Sequence, residues 1–142
     1  MKGAATAGTV ASGVLGTSKT AWAGSNERVR IAVVGIRGRG RSHIEEFNRL
    51  DNVEVATLCD VDENLFSPTI KSLFAGEDMK RPNVATDVRK VLEDKDIDAI
   101  SIATPNHWHS LAGIWAMEAD KDVYVEKPCS HNVWEGRQLV NA

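Results

Sequence analysis

The chain has 142 residues, 42% of them apolar and 26% charged, with a net charge of -3. That length suits one domain around one core, and the composition excludes the disordered, collagen-like and disulfide-rich classes. The small negative charge argues against nucleic acid as a partner: Arg37, Arg39 and Arg41 form a local basic cluster that no basic stripe continues.

The first 26 residues differ in texture from the rest. Met1 to Ala23 contains no acid and two bases, Lys2 and Lys19, and Ala4 to Leu15 is small and weakly apolar. Ala21-Trp22-Ala23 has the A-x-A form of a signal-peptidase site. The stretch resembles the back half of a twin-arginine leader, although it lacks an Arg-Arg pair and its first arginine is Arg28. The expectation is a leader remnant or a disordered Ala/Gly arm over 1–26, followed by a folded domain over 27–142. Export to the periplasm follows where the leader is complete, and a cytoplasmic location otherwise. The segment is too short and too Gly-rich for a membrane span, so no membrane partner is expected.

Val29 to Val34 is β-branched and nearly continuous in apolar residues, which predicts a buried strand. Ile44, Phe47 and Leu50 recur at three-residue spacing and predict a helix from about Gly40 to Leu50. Val53 to Cys59 is a second strand. Asp62 caps a predicted helix over Glu63 to Phe74, which Ala75-Gly76 ends. Pro82 to Ala85 reads as a short third strand, and Asp87 caps a short helix carrying Val88, Val91 and Leu92. Ile97 to Ala103 is the fourth strand. Asn106 is placed to cap a helix with Leu111, Ile114 and Trp115 at helical spacing. Asp122 to Val125 is the fifth strand, and Val133 to Val140 opens a last helix near Asn141-Ala142, where the chain reads as an interrupted domain.

This alternation predicts an α/β fold: a doubly wound parallel sheet with right-handed crossovers and strand order 3-2-1-4-5. That order places Cys59 and Cys129 at strand ends three steps apart, roughly 14 Å. A disulfide needs Cα atoms within about 7 Å, so both cysteines are expected as free thiols.

Four polar corners follow four of the strands, and in such sheets ligands bind outside the carboxyl ends of the strands. Gly35-Ile36-Arg37-Gly38-Arg39-Gly40 matches G-x-G-x-x-G at its first and sixth positions; Arg37 is third and Gly38 fourth. Glycines there let the backbone turn and approach a pyrophosphate at a helix N-terminus. Asp60 ends the second strand, about 25 residues after Gly35, near the spacing of an acid that accepts from ribose hydroxyls and repels a 2′-phosphate. Such an acid favours NAD over NADP, although Arg37 or Arg39 is close enough in sequence to receive an extra phosphate. Thr104-Pro105-Asn106-His107-Trp108-His109 is a rigid corner with polar and aromatic groups, and Glu126-Lys127-Pro128 sets two opposite charges at a strand end. His107 and His109 are not spaced i, i+4 and have no Cys, His or Glu partner nearby in sequence, so no metal site is expected.

The set Gly35, Gly38-Arg39-Gly40, Cys59-Asp60-Val61-Asp62, Ala103-Thr104-Pro105-Asn106-His107-Trp108-His109 and Glu126-Lys127-Pro128 resembles the N-terminal Rossmann domain of the Gfo/Idh/MocA oxidoreductase family. The resemblance implies NAD as cofactor, NADP less so. Gly35, Gly38 and Gly40 would line the pyrophosphate loop, Arg37 and Arg39 beside them would also contact the cofactor, and Asp60 would hold the adenosine ribose. Thr104, Pro105, Asn106 and His109 would border the cofactor toward its nicotinamide end. Glu126 and Lys127 would contact the nicotinamide ribose and the reacting substrate, with Lys127 catalytic. Members transfer hydride to or from sugars, inositols and other polyols, and one branch uses the same cofactor in glycoside cleavage. They carry a second α/β domain with an open antiparallel sheet that supplies the substrate pocket and the oligomer interface. The resemblance covers the cofactor domain alone, so the chain by itself is expected to bind the dinucleotide without sugar turnover. The alternative is a non-catalytic nucleotide-binding module acting with a partner chain.

Overall fold

The computed structural model describes residues 28–77 and 79–142, so the expected leader and its boundary lie outside the described residues. Strands form at Val29–Val34 (β1), Val53–Cys59 (β2), Asn83–Ala85 (β3), Ala99–Ile102 (β4) and Asp122–Val125 (β5). All pairings are parallel, in the order β3-β2-β1-β4-β5. This is the predicted doubly wound order. Helices occupy Gly38–Phe47 (α1), Phe66–Leu73 (α2), Val88–Leu92 (α3), His109–Glu118 (α4) and Val133–Asn141 (α5).

The period-two alternation of β1 divides the interior in two. Ile31 and Val33 face one layer with Ile44 of α1, Leu58 and Phe66 of α2. Ala32 and Val34 face the other with Ile100, Ile102, Val91 of α3, and Ala112 and Ala116 of α4. Both faces of the central strands are therefore covered, which is why β1 and β2 are almost continuously apolar. Ile44 is fully buried, and its truncation to Ala should cost about 2–5 kcal/mol. Chemical denaturation of Ile44→Ala beside the natural chain measures that loss.

The structure shifts several predicted boundaries. Glu63–Leu65 forms a 3-10 turn, and α2 starts only at Phe66. Pro68 explains the break: it has no N–H to donate to the Asn64 carbonyl, and its ring crowds that carbonyl, so it is accommodated only in a first turn. Helix α1 begins two residues before the predicted Gly40. Strand β4 is shorter than the predicted Ile97 to Ala103, because Ile97 donates its N–H to the Asp94 carbonyl in a turn at 3.4 Å. Asp62 and Asp87 do cap, accepting from the N–H groups of Asn64 and Arg89 at 3.1 and 3.0 Å. Asn106 does not: it begins a 3-10 turn, Asn106–Trp108, in which Trp108 donates its N–H to the Pro105 carbonyl at 2.9 Å.

Both cysteines are free, with Cys59 buried and Cys129 exposed. Burial pushes the Cys59 thiol up to about 12, with Asp60 and Asp87 adding smaller contributions. A thiol reagent added to the native protein should therefore label Cys129 rapidly and Cys59 only after unfolding. Two fast thiols, or none, would contradict this packing.

Candidate functional site

The corners after β1, β2, β3 and β4 meet at one rim, beside the point where the chain order reverses between β1 and β4. After Val34 the backbone turns through Gly35, φ +83°, and Gly38, φ +39°. A Cβ at Gly35 would stand 2.8 Å from the Ala103 carbonyl and the Thr104 nitrogen. One at Gly40 would stand 1.7 Å from the Gly35 oxygen, a backbone atom that has nowhere to go. Gly40 thus brings the first turn of α1 hard against the end of β1. Arg37, just before that helix, provides no side-chain cap, and an uncapped N-terminus presents N–H groups and the positive end of the helix dipole to an anion.

Asp60 fastens the neighbouring corner. Its Oδ2 accepts from the Ile36 N–H and its Oδ1 from the Asp62 N–H, both at 3.0 Å. A carboxylate has about four acceptor sites, so capacity is left for ribose hydroxyls. Between these corners lies a cleft of about 220 Å³. Its walls come in strand order: Val34 and Gly35, then Cys59, Asp60 and Val61, then Thr86 and Val88, then Thr104, Pro105, Trp108 and Ala112. Thr104 keeps a buried hydroxyl without a hydrogen-bond partner, the one such side-chain atom among the described residues. A buried polar group left unpaired is costly, so this hydroxyl asks for a ligand group. The glycine turn, the uncapped helix, the acid and the orphan hydroxyl together fit a dinucleotide. Val61 and Trp108 stand inside the sequence motifs but are assigned no role there, and Thr86 is not singled out. Trp108, 42% exposed beside the Thr104 corner, was legible as an exposed aromatic within a motif, and Thr86 only as the residue after a strand.

The Glu126 corner is organised differently from expectation. Arg39 and Glu126, both expected at the cofactor, pair with each other at 2.6 Å. The same Oε1 lies 3.0 Å from His43 Nε2, and the other His43 nitrogen lies 2.9 Å from Ser101 Oγ. Glu126 Oε2 accepts the Lys127 N–H at 3.1 Å. Glu126, only 8% exposed, therefore ties α1, β4 and the Lys127 corner together. Lys127 is exposed and has no carboxylate partner among the described residues. His109 also supports rather than lines the rim. It is 1% exposed, with ring nitrogens 2.8 Å from the Thr104 carbonyl and 2.7 Å from the Pro128 carbonyl. Ser110 Oγ donates to the Cys129 carbonyl at 3.1 Å beside it. The start of α4 thus joins the Thr104 and Lys127 corners. Asn106 is exposed on the first of them. Among the described residues no group of three His, Cys, Asp or Glu is gathered as metal ligands would be.

Hydrogen bonds from Arg39, then His43 and the Lys127 N–H, hold the Glu126 carboxyl down from its ordinary 4.5 to about 2. A lowered carboxyl stabilises the fold above its unfolded value and loses that contribution as pH falls toward the folded one. The stability gap between the natural chain and Glu126→Gln should thus be full above about pH 5 and shrink between about pH 4.5 and 2. Chemical denaturation across that range measures it, and a constant gap would exclude the network's role.

Residues 29–142 match the model of an oxidoreductase family described by its NAD-binding Rossmann fold. Among curated relatives, glycosyl hydrolase family 109 protein 1 of Shewanella sp. (strain MR-4) is 34% identical over 119 residues, 81% of this chain and 26% of that protein. An alpha-N-acetylgalactosaminidase of Shewanella oneidensis is 32% identical over 121 residues, again covering 81% and 26%. The chain thus spans about a quarter of the length of these relatives. Among solved structures, myo-inositol dehydrogenase from Lactobacillus casei, in complex with NAD(H) and myo-inositol, superposes with a TM-score of 0.73 at 24% identity, over 80% of this chain and 32% of that one. That likeness concerns the fold. With the glycine turn, Asp60 and the Thr104 and Lys127 corners all at the carboxyl ends of the strands, the match over 29–142 establishes that this chain belongs to the Gfo/Idh/MocA oxidoreductase family and carries its NAD-binding Rossmann domain.

Proposed function

We propose that this chain is the cofactor-binding part of an oxidoreductase that moves hydride between NAD and a sugar or polyol. The observation that carries the reading is the cleft at the ends of β1 to β4, with an orphan hydroxyl at Thr104 and backbone-to-backbone packing at Gly40. The α1 N-terminus and the Gly35 turn would receive the pyrophosphate, and Asp60 the adenosine ribose. Thr104 and Pro105 would border the path toward the nicotinamide. Lys127, an exposed ammonium on a corner fixed through Glu126 and His109, would hydrogen-bond the reacting hydroxyl or carbonyl and steady its proton. Bound NAD would supply the hydride chemistry, while the protein orients it. The domain's partners are then a dinucleotide and, with a substrate domain facing Lys127, a sugar or polyol. The texture of residues 1–26 supports export of the protein.

A second reading is glycoside cleavage assisted by the same bound cofactor. It is favoured by the names of the curated relatives at 32% and 34% identity. Both readings share the cofactor cleft and part only at the substrate.

Calorimetric titration with NAD and NADP tests the shared step. NAD should bind more tightly, because Asp60 accepts from a ribose hydroxyl and repels a phosphate in its place. Asp60→Ala should narrow or reverse the preference, since a hydrogen bond to a charged group is worth about 1.5–3 kcal/mol. Equal affinities in the unmutated chain would sink the NAD assignment.

A further inference from the structure

Three arginines stand in or just after the glycine turn, and each is matched to one carboxylate: Arg37 to Asp62, Arg39 to Glu126 at 2.6 Å and Arg41 to Glu45 at 3.2 Å. The first pair lies where a dinucleotide's adenosine ribose would be read. Asp62 is two residues beyond Asp60, and its N–H donates to Asp60 Oδ1 at 3.0 Å, so the two carboxylates share one tight loop. Ile36 donates its N–H to the other Asp60 oxygen at 3.0 Å, which sets the next residue, Arg37, against that same loop. The Arg37 side chain is 69% exposed and crosses to Asp62 through a guanidinium N–H. Asp62 is itself fixed: its Oδ1 accepts from the Asn64 N–H at 3.1 Å and the Asn64 side-chain amide at 2.9 Å. Hydrogen bonds from Asn64, and then from Arg37, hold its carboxyl below the ordinary range.

We propose that Asp62 determines dinucleotide choice alongside Asp60, by keeping the Arg37 guanidinium engaged and so withholding it from a 2′-phosphate. The inference rests on the reading of this cleft as a dinucleotide site. A ribose 2′-hydroxyl arriving beside Asp60 meets acceptors to which it donates. A 2′-phosphate arriving there meets two carboxylates and one cation whose charge is already matched. With Asp62 neutral, Arg37 has five donors and no partner, and a guanidinium fork suits phosphate oxygens. An exposed ion pair contributes little to folding, so its removal changes recognition while the domain stays intact. Arg39, held by a carboxylate on the far corner, is not available as a substitute.

The experiment is a double-mutant cycle read by calorimetric titration of NAD and NADP into the natural chain, Asp62→Asn, Arg37→Ala and the double variant. Asp62→Asn keeps the side-chain oxygen that accepts from Asn64 and removes the charge; Asp62→Ser serves the same end if the amide disturbs the turn. NADP affinity should rise about tenfold in Asp62→Asn, the size of one charge-assisted bond gained, while NAD affinity stays within about twofold. The effect of removing the Asp62 charge is read in each background, Asp62→Asn against the natural chain and the double variant against Arg37→Ala; without Arg37 the gain should vanish, which isolates the pairwise effect. An unchanged NADP affinity in Asp62→Asn overturns the proposal. So does an equal gain in the double variant, which would reduce Asp62 to simple charge repulsion. If the natural chain binds NAD and these results fail, the cofactor reading survives without the inference; if it binds neither dinucleotide, both fall.

Discussion

The approach of α1 to the end of β1 is the constraint on which the site depends. A Cβ at Gly40 would lie 1.7 Å from the Gly35 oxygen, so helix and strand meet backbone to backbone. That contact sets how far the helix N-terminus reaches over the sheet, and so where its N–H groups point. It also fixes Gly35 against the Ala103 and Thr104 backbone, which brings the corner of β4 to the same place. The cleft is what remains between corners that cannot separate.

Around this contact the sheet acts as a jig. Parallel pairing in the order β3-β2-β1-β4-β5 makes every strand end on the same side. Ile31 and Val33 anchor β1 to one helical layer, and Ala32 and Val34 to the other. With both faces buried, slipping β1 by one residue would move every side chain to the opposite layer and set Ile31 and Ala32 in each other's places. The register is therefore specified by volume as well as by hydrogen bonds, and the rim inherits that precision.

The rim is also electrostatically prepared. Its acids are engaged before any ligand arrives: Asp60 by two backbone N–H groups, Asp62 by Arg37 and Asn64, Glu126 by Arg39, His43 and the Lys127 N–H. These engagements join corner to corner, so the same bonds that satisfy charge also hold the geometry. Lys127 stands apart from this pattern as an exposed cation on a clamped corner, without a carboxylate partner among the described residues. The buried positions, Glu126 and His109, gain their importance from the residues they hold.

Local patterning determined the elements, their order and the identity of the corners. The apolar runs of β1 and β2, the glycines at 35 and 40 and the caps at Asp62 and Asp87 are short-range signals, and each acts within its own turn or strand. The sheet order followed as well, since right-handed crossovers leave few arrangements for alternating strands and helices. What only the tertiary structure decided is which side chains face the cleft and which lie behind it. Glu126 meets Arg39 and His43 from 87 and 83 residues away, and His109 finds the Pro128 carbonyl 19 residues on. Partners at such separations are set by packing of whole elements, so no local pattern marks them. A motif names the residues at a corner; the direction each one takes depends on what the rest of the fold places beside it.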